Sequence, residues 1–567
     1  MARFPLITPE GDSAVHIRFD DHINSKSNTD ALQFAHFLSL RNYSFILDII
    51  PAYCTVMVCY NALECTFGEL EARLFALLAE FSREENGFIN NSKHVEIPVC
   101  YEPEFAPDLE ELARSSGLGT QDVIKRHSGS TYHIDMLGFL PGFAYLSGLD
   151  PVLEMPRLAE PRAHVPAGSI GIGGSQTGIY SVTSPGGWRI IGRTPLNLVG
   201  NGWPPQLLYA PGDTVTFTPI NSREFDRTQA HEELIQASAQ ASSNQDAEKP
   251  ACASIISPGV YTTVQYAPAY GWQAQGIRPQ GPMDMRSFAL ANALVGNGFT
   301  APVLEFVYKG PELLLSEPCV FAVTGAPFEV FLNNKPVEPY EAIYAPAQSI
   351  LSIRSAQRGH YGYLAIHGGI TFAGSIPREA NGCTSRIKNT GTELRFYDPD
   401  SQENIDVLFK RLSNNRLLSK DAYFTWNKSN VTRIRVVCAN HSQSLGSQEL
   451  STFFDTVFEI TSRADRMGVC LTAQKPLGIN LKGIISEGIA CGTIQIPSNG
   501  MPIVVTADHQ TCGGYPKAGT IATVDLPRFV QLNAGDKVKF EPVSLEEAQK
   551  SLAVDAAYLT RLSRHWS

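Results

Sequence analysis

The chain has 567 residues, too many for one hydrophobic core, so roughly three to five domains are expected. It carries 45 Lys and Arg against 56 Asp and Glu, a net charge of −11, with no dense Lys/Arg cluster. That balance excludes nucleic acid as a partner. No run of about eighteen apolar residues occurs, and residues 1–16 lack a signal-peptide core, so a soluble, cytoplasmic protein with no membrane partner is expected. The 11 cysteines include no CxxC pair and no Cys/His set at zinc spacing, so reduced, buried thiols and no metal site are expected. The 46 glycines and 37 prolines fit many short strands and turns.

Residues 1–92 read as a small α+β domain. Segments 14–19, 45–50 and 54–59 read as strands. Segments 29–40 and 66–81 carry apolar residues at helical spacing. In the second, Phe67, Leu70, Leu74, Leu77, Leu78 and Phe81 share a face after the capping residue Thr66. Nothing in this stretch reads as catalytic.

Residues 93–225 change character. A strand is expected at 95–101 and short helices at 108–116 and 121–128. A glycine-rich run follows: Gly142-Phe143 after Pro141, Gly173-Gly174, Gln176-Thr177-Gly178 and Gly186-Gly187-Trp188. Arg157 and Arg162 each follow a proline, and Arg193 closes the run. Neither GxxxxGK[ST] nor GxGxxG after a strand is present, so phosphate here needs a non-standard glycine loop. Residues 226–254 begin as a possible helix and continue as an Ala/Ser/Gln-rich linker, which reads as a fusion point. Residues 255–425 start a new unit, with a helix at 285–294 and strands at 303–308, 320–324 and 363–368. Residues 426–567 form a last β-rich unit with a closing helix at 545–562.

The stretch 484–519 concentrates polar chemistry. Two strands, 493–497 and 501–507, flank Ser498-Asn499-Gly500, a hairpin turn signal. Asp508, His509, Gln510, Thr511, Gly513, Gly514, Tyr515 and Lys517 follow within ten residues. An acid, an amide, a hydroxyl, an ammonium and free backbone amides at a strand end compose a site for a small carboxylate- or phosphate-bearing molecule. A polar barrel rim is the competing explanation.

Internal repeats organise the rest. Residues 210–220, APGDTVTFTPI, match 533–543, NAGDKVKFEPV, and a weaker copy lies at 391–396. Gly168-Ser-Ile-Gly-Ile172 matches Gly492-Thr-Ile-Gln-Ile496, each followed downstream by Gln-Thr. A Gly-Asp turn opens a closing strand in each unit, so three related all-β units are inferred near 94–222, 255–400 and 431–543. Closed or nearly closed barrels would protect their edges.

These motifs resemble a known family. Residues 138–146 (GFLPGFAYL), Pro161-Arg162, 165–169 (VPAGS), 176–180 (QTGIY) and 184–188 (SPGGW) resemble the B-type component of bacterial 5-oxoprolinase, the KipI or allophanate hydrolase subunit 1 type. Met283-Asp284, Ala291-Asn292, 462–468 (SRADRMG), 486–488 (SEG), 494–497 (IQIP) and 508–517 resemble the C-type component, the KipA type. The same pair of modules is similar to the carboxyltransferase region of urea carboxylase. The chain departs from the C-type pattern at 265–271, 373–378 and 438–441.

The resemblance implies a mainly β fold, with cyclophilin-like β-barrels, one in the first half and two in the second, behind the N-terminal α+β domain. It implies a fused B–C component of ATP-dependent 5-oxoprolinase, using ATP with magnesium and a separate LamB/YcsF-type A component to open a lactam to glutamate. Asp508 and Lys517 are then expected to move protons or bind carboxylate, with Gln510 and Thr511 orienting the substrate. Arg162, Arg193, Gly168, Gln176 and Thr177 are expected on the nucleotide or its phosphates. Arg463, Asp465, Arg466, Glu487, Gln495, Gly513 and Gly514 are expected to line the substrate or nucleotide site. Asp465 and Arg466 read equally well as a structural ion pair. His133 and His509 are candidate bases, though a lone histidine is more often structural.

One alternative is carboxyl transfer to a urea-like substrate, with the biotin machinery in trans, since no Met-Lys-Met site for covalent biotin is present. Another is a KipI/KipA-type regulator of a sensor histidine kinase. A homo-oligomer is compatible with each.

Overall fold

In a computed structural model of the chain, residues 4–82, 92–200, 203–241, 251–372, 386–396, 405–413, 430–439, 445–477 and 483–564 are described. Two of the departures from the family pattern, 373–378 and residues 440–441, lie outside them. Among the described residues no helix is long and apolar enough to cross a membrane.

The N-terminal stretch is an antiparallel sheet in the order Leu6–Glu10, Ala14–Arg18, Thr55–Tyr60, Ile46–Pro51. The first of these strands is absent from the sequence expectation. Its Pro9 masks the strand pattern, and proline is tolerated there because the strand is at the edge. Helices Ser25–Ser39 and Phe67–Phe81 cover one face, where Val15, Ile17, Val56 and Val58 pack with Phe34 and Leu74. The second helix starts at a capping box: Glu69 N donates to Thr66 Oγ1, and Thr66 N donates to Glu69.

The other face of this sheet is not solvent. Ala14, Ile50, Met57 and Cys59 share a core with Phe143 and Trp188 of the following unit and with Cys512 near the far end of the chain. The sheet is therefore buried on both faces.

The unit after it closes as a seven-stranded barrel. Its order is Gln176–Ile179, Ala144–Ser147, Tyr132–Leu137, Thr214–Ile220, His94–Cys100, Arg189–Arg193, Ser169–Gly173. The last unit closes in the same order: Ile503–Val505, Gly468–Thr472, Val457–Ala464, Lys537–Val543, Val431–Cys438, Lys517–Ile521, Thr493–Gln495. The repeated Gly-Asp turn does the same work in both. Gly212 and Gly535 take φ of 91° and 92°, which favours glycine. The aspartates bind amides at the base of the turn, Lys93 N and Ala210 N for Asp213, and Asn533 N for Asp536. Each closing strand then runs parallel to the first strand of its own barrel.

The middle unit differs. Its strands form a seven-stranded and a six-stranded sheet around a shared core that includes Leu304, Phe306, Leu313, Phe321 and Leu351. Its copy of the repeat, Glu393–Phe396, pairs antiparallel with Ala253–Ser257 rather than parallel. The likeness at 391–396 is thus confined to the turn. Helix Met285–Leu294, capped by Asp284, joins this unit to the last barrel, because Phe288 and Val303 share one core with Ile434, Phe458 and Phe540.

The expected hairpin at 493–507 is present but looser. Ile494 pairs with Val504 and Gln495 with Ile503, and residues 496–502 form the connection. Within it, Gly500 N donates to Pro497 O across a four-residue turn, so Asn499-Gly500 does not close a two-residue hairpin.

Candidate active site at the junction of the two halves

The polar stretch 508–517 sits where the N-terminal sheet, the segment 268–283 and the last barrel meet. Its charged groups fall into two separate clusters.

In the first, Arg466 donates through Nε and Nη2 to both oxygens of Asp508, at 2.9 Å each. The same guanidinium donates to Glu305 Oε1 and, at 2.5 Å, to Gly281 O. Glu305 also accepts from Met283 N at 2.8 Å and Tyr363 Oη at 2.7 Å. Burial alone would push the Arg466 pKa down, but Asp508 and Glu305 outweigh it and hold the guanidinium charged. This arginine fixes Asp508 on the last barrel against Glu305 of the middle unit. The partner of Arg466 is thus Asp508, not Asp465, whose Oδ1 accepts from Met467 N and Gly468 N in its own turn.

In the second cluster, Lys517 is 1% exposed. Its Nζ lies 3.0 Å from Glu487 Oε1 and 3.2 Å from Glu10 Oε2, and donates to Gly488 O at 3.0 Å. Arg18 Nη2 donates to Glu487 Oε2 at 2.8 Å, and His16 Nε2 lies 3.3 Å from Lys517 Nζ. Burial disfavours the ammonium, but Glu10 and Glu487 outweigh it and hold its pKa above the ordinary lysine value.

Glu10, His16 and Arg18 belong to the stretch in which nothing read as catalytic. The signal was present in the sequence: Val15 and Ile17 alternate with His16 and Arg18, so one face of that strand is charged. What it faces is supplied by the other end of the chain.

Against Met283 and His509 lies a partly open cavity of about 160 Å³. Ser13, Ala14 and Cys59 wall it from the N-terminal sheet, and Gln273, Gln280 and His509 from the second half. Asp48 pins this wall, accepting from Gly271 N at 2.8 Å and from Gln273 Nε2 at 3.2 Å. His509 is 2% exposed, and burial lowers its pKa to about 4, so its imidazole is neutral. Its Nδ1 lies 2.7 Å from Gln510 O. A carbonyl only accepts, so Nδ1 carries the proton and Nε2 is left as an acceptor. A more open cleft of about 510 Å³ lies alongside, lined by Arg463, Asp465, Met467 and Gln510, and it shares Ile489 with the cavity.

The remaining expected residues scatter. Thr511 is buried and its carbonyl accepts from Ile489 N. Gly513 and Gly514 take no positive φ, and they are small because Ile489, Gln495, Ile484 and Ser486 crowd them. Gln495 is buried beside Gly513, with its Nε2 lacking a partner. Arg162 Nη2 donates to Asp108 Oδ1 at 2.7 Å, and Arg193 Nε to Ala167 O at 2.8 Å. Gly168, at φ 82°, packs on Thr194 O. Thr177 is held inside the first barrel by His127 and Gly171 O, and Gln176 Oε1 accepts from Tyr53 Oη. Arg157 lies over the Trp188 ring, and His133 is exposed. Among the described residues no group of three His, Cys, Asp or Glu could hold a metal ion.

Both halves match families. Residues 5–208 match the carboxyltransferase domain, subdomain C and D, and residues 275–542 match the carboxyltransferase domain, subdomain A and B. The chain is 37% identical over 225 residues to the B-type component of 5-oxoprolinase from Bacillus subtilis, covering 38% of this chain and 92% of that relative. It is 30% identical over 310 residues to the C-type component of 5-oxoprolinase from Haemophilus influenzae, covering 53% of this chain and 94% of that relative. The crystal structure of TTHA0988 superposes with a TM-score of 0.75 at 28% identity, over 93% of this chain and 99% of the other. Two families that meet across one cavity are therefore joined in this polypeptide, and the chain belongs to the carboxyltransferase-domain family that includes the B-type and C-type components of 5-oxoprolinase.

Proposed function

We propose that the chain is the fused B–C component of an ATP-dependent 5-oxoprolinase, which opens 5-oxo-L-proline to L-glutamate together with a LamB/YcsF-type A component. One observation carries this reading: the cavity takes its walls from both the B-like and the C-like half. A site built that way needs both halves, and fusing them keeps it assembled.

Lactams resist hydrolysis, and ATP would supply activation by phosphorylating the amide oxygen. Arg162 and Arg193 are each anchored in the first barrel by one donor, to Asp108 and to Ala167 O, which leaves their other N–H groups to meet the phosphates. The chain's own groups act on the lactam. Neutral His509 offers Nε2 as a proton acceptor in the cavity wall. Asp508, held by Arg466, fixes the backbone that carries His509 and Gln510. Lys517 does not line the cavity. Locked between Glu10 and Glu487, it acts as a positioning residue that holds the N-terminal sheet against the last barrel.

The test is phosphate release from ATP by the purified chain, with and without 5-oxo-L-proline and the A component. Release stimulated by 5-oxo-L-proline, dependent on the A component and lost in Asp508→Ala, supports the proposal. No stimulation under any condition sinks it. Carboxyl transfer to urea is the second reading, favoured by the carboxyltransferase description of both matched families. Its test is carboxylation of urea by the chain with a biotin carboxylase and a biotinylated carrier.

A further inference from the structure

Gln280 is 3% exposed, and neither its Oε1 nor its Nε2 has a hydrogen-bond partner. It lines the cavity. A buried amide with both ends unpaired is costly, and native proteins retain few such groups. Its backbone is also unusual, at φ 56°, in the left-handed region that non-glycine residues seldom take. Conformations of that kind persist where the surroundings impose them, and they gather at ligand sites.

Its neighbours share the pattern. Gln273 is 1% exposed and lines the same cavity. Its Nε2 is used on Asp48, and its Oε1 has no partner. Arg278 has an unpartnered Nε and directly precedes Pro279 and Gln280, both in the cavity wall.

We infer that this cavity binds a small cyclic cis-amide acid, with the Gln280 carboxamide paired edge to edge with the ligand's amide and Arg278 facing its carboxylate. Ring closure in a five-membered lactam holds N–H and C=O on one side. A carboxamide side chain presents the matching edge: Oε1 accepts from the ring N–H while Nε2 donates to the ring C=O. Both Gln280 atoms are covered in the ligand-free chain, so pairing requires the side chain to turn into the cavity. Gln273 Oε1 and His509 Nε2 are further acceptors in the wall.

The size agrees. A cavity of about 160 Å³ matches the ~150 Å³ that accepts a single six-membered ring. Urea shares the amide edge but lacks the carboxylate that would answer Arg278. The inference rests on the 5-oxoprolinase reading for its first probe, 5-oxo-L-proline.

The experiment is a ligand-observed NMR titration of the full chain with 5-oxo-L-proline, 2-pyrrolidinone and L-proline. 2-Pyrrolidinone has the cis-amide without the carboxylate, and L-proline has the ring and carboxylate without the amide carbonyl. The expected order is 5-oxo-L-proline tightest, 2-pyrrolidinone weaker, and L-proline without binding. Gln280→Leu should weaken 5-oxo-L-proline roughly tenfold or more while the urea midpoint holds or rises, because an unpaired buried amide has been removed. Arg278→Met should weaken 5-oxo-L-proline and leave 2-pyrrolidinone unchanged.

Equal binding of L-proline and 5-oxo-L-proline, or unchanged affinity in Gln280→Leu, overturns the inference. So does a fall in the urea midpoint of Gln280→Leu without loss of affinity, the mark of a structural role. Binding with this pattern but without turnover in the presence of the A component keeps the inference and removes the assigned reaction. Turnover with an unchanged KM in Gln280→Leu does the reverse.

Discussion

Lys517 and Glu10 come from opposite ends of the chain, and their charged groups lie 3.2 Å apart with both side chains buried. Glu487 completes the set at 3.0 Å. A lone buried charge is far costlier than a paired one, and removing the lysine strands the Glu10 carboxylate, whereas Glu487 keeps Arg18. Lys517→Met is expected to lose roughly 3–5 kcal/mol of stability. Lys517→Met combined with Glu10→Gln should recover part of that loss, since the stranded charge is gone. Urea unfolding of the four chains in this cycle measures the coupling. Additive losses would mean that the two residues do not interact.

Arg466 joins two units through one guanidinium. It needs three directions at once: both oxygens of Asp508, Glu305, and Gly281 O. A lysine supplies the charge but not the planar fork. Arg466→Lys is therefore expected to cost roughly 2–4 kcal/mol, in the range of a broken buried pair. Asp508→Asn keeps an acceptor for the guanidinium and should cost less. A urea midpoint for Arg466→Lys equal to that of the unchanged chain would contradict the bridging role.

Three of the buried histidines, His127, His360 and His509, make the fold sensitive to acid. Burial lowers His127 to about 3, and His360 and His509 to about 4. In the unfolded chain each titrates near 6.5. Between those values the unfolded state binds protons that the folded state refuses. The stabilisation is thus complete above pH 6.5 and is lost as pH falls towards 4. Each histidine contributes a slope of up to about 1.4 kcal/mol per pH unit. Asp135, raised to about 6 by burial, works the other way, because its folded form holds a proton that the unfolded form releases. The net expectation is a urea midpoint lower at pH 5 than at pH 7. His127→Gln, which removes one of the three, should flatten that dependence; an unchanged slope would remove His127 from the account.

Local periodicity was enough to read most helices and strands, because each depends on residues close in sequence. Helix Phe67–Phe81 begins at Thr66, and Met285–Leu294 falls where its apolar spacing predicts. The Gly-Asp turn revealed the two closed barrels, since a positive φ and a carboxylate cap leave a mark within four residues. Half of that mark misled at 391–396, where Gly391 repeats the positive φ but Thr392 stands in place of the aspartate and the strand lacks the parallel pairing that closes a barrel. The site was legible only as a polar stretch. Asp508 and Lys517 lie close in sequence, yet Arg466, which holds Asp508, reaches on to Glu305, and Lys517 reaches Glu10, both in other units, and no local pattern specifies such pairings. Gln280 was hidden for a related reason: an unpaired amide is a property of its surroundings, not of its residue type.

The two halves hold one another through contacts independent of the linker between them. Gly142 N donates to Gln275 O at 2.8 Å, Asp48 binds Gly271 and Gln273, and Lys517 sits between Glu10 and Glu487. Separate chains of 1–225 and 255–567 are therefore expected to co-purify as a one-to-one complex when expressed together. Gly276 offers a specific way to weaken it. At φ 76° an alanine is strained, and its Cβ would lie 2.2 Å from Leu140 O, a backbone atom that cannot move aside cheaply. Gly276→Ala in the 255–567 chain should raise the dissociation constant of the pair by roughly tenfold or more, because the clash with Leu140 O exists only in the complex. Analytical ultracentrifugation of the two pairs decides the matter. Pieces that stay apart with Gly276 intact would show that the linker, and not the interface, keeps the cavity assembled.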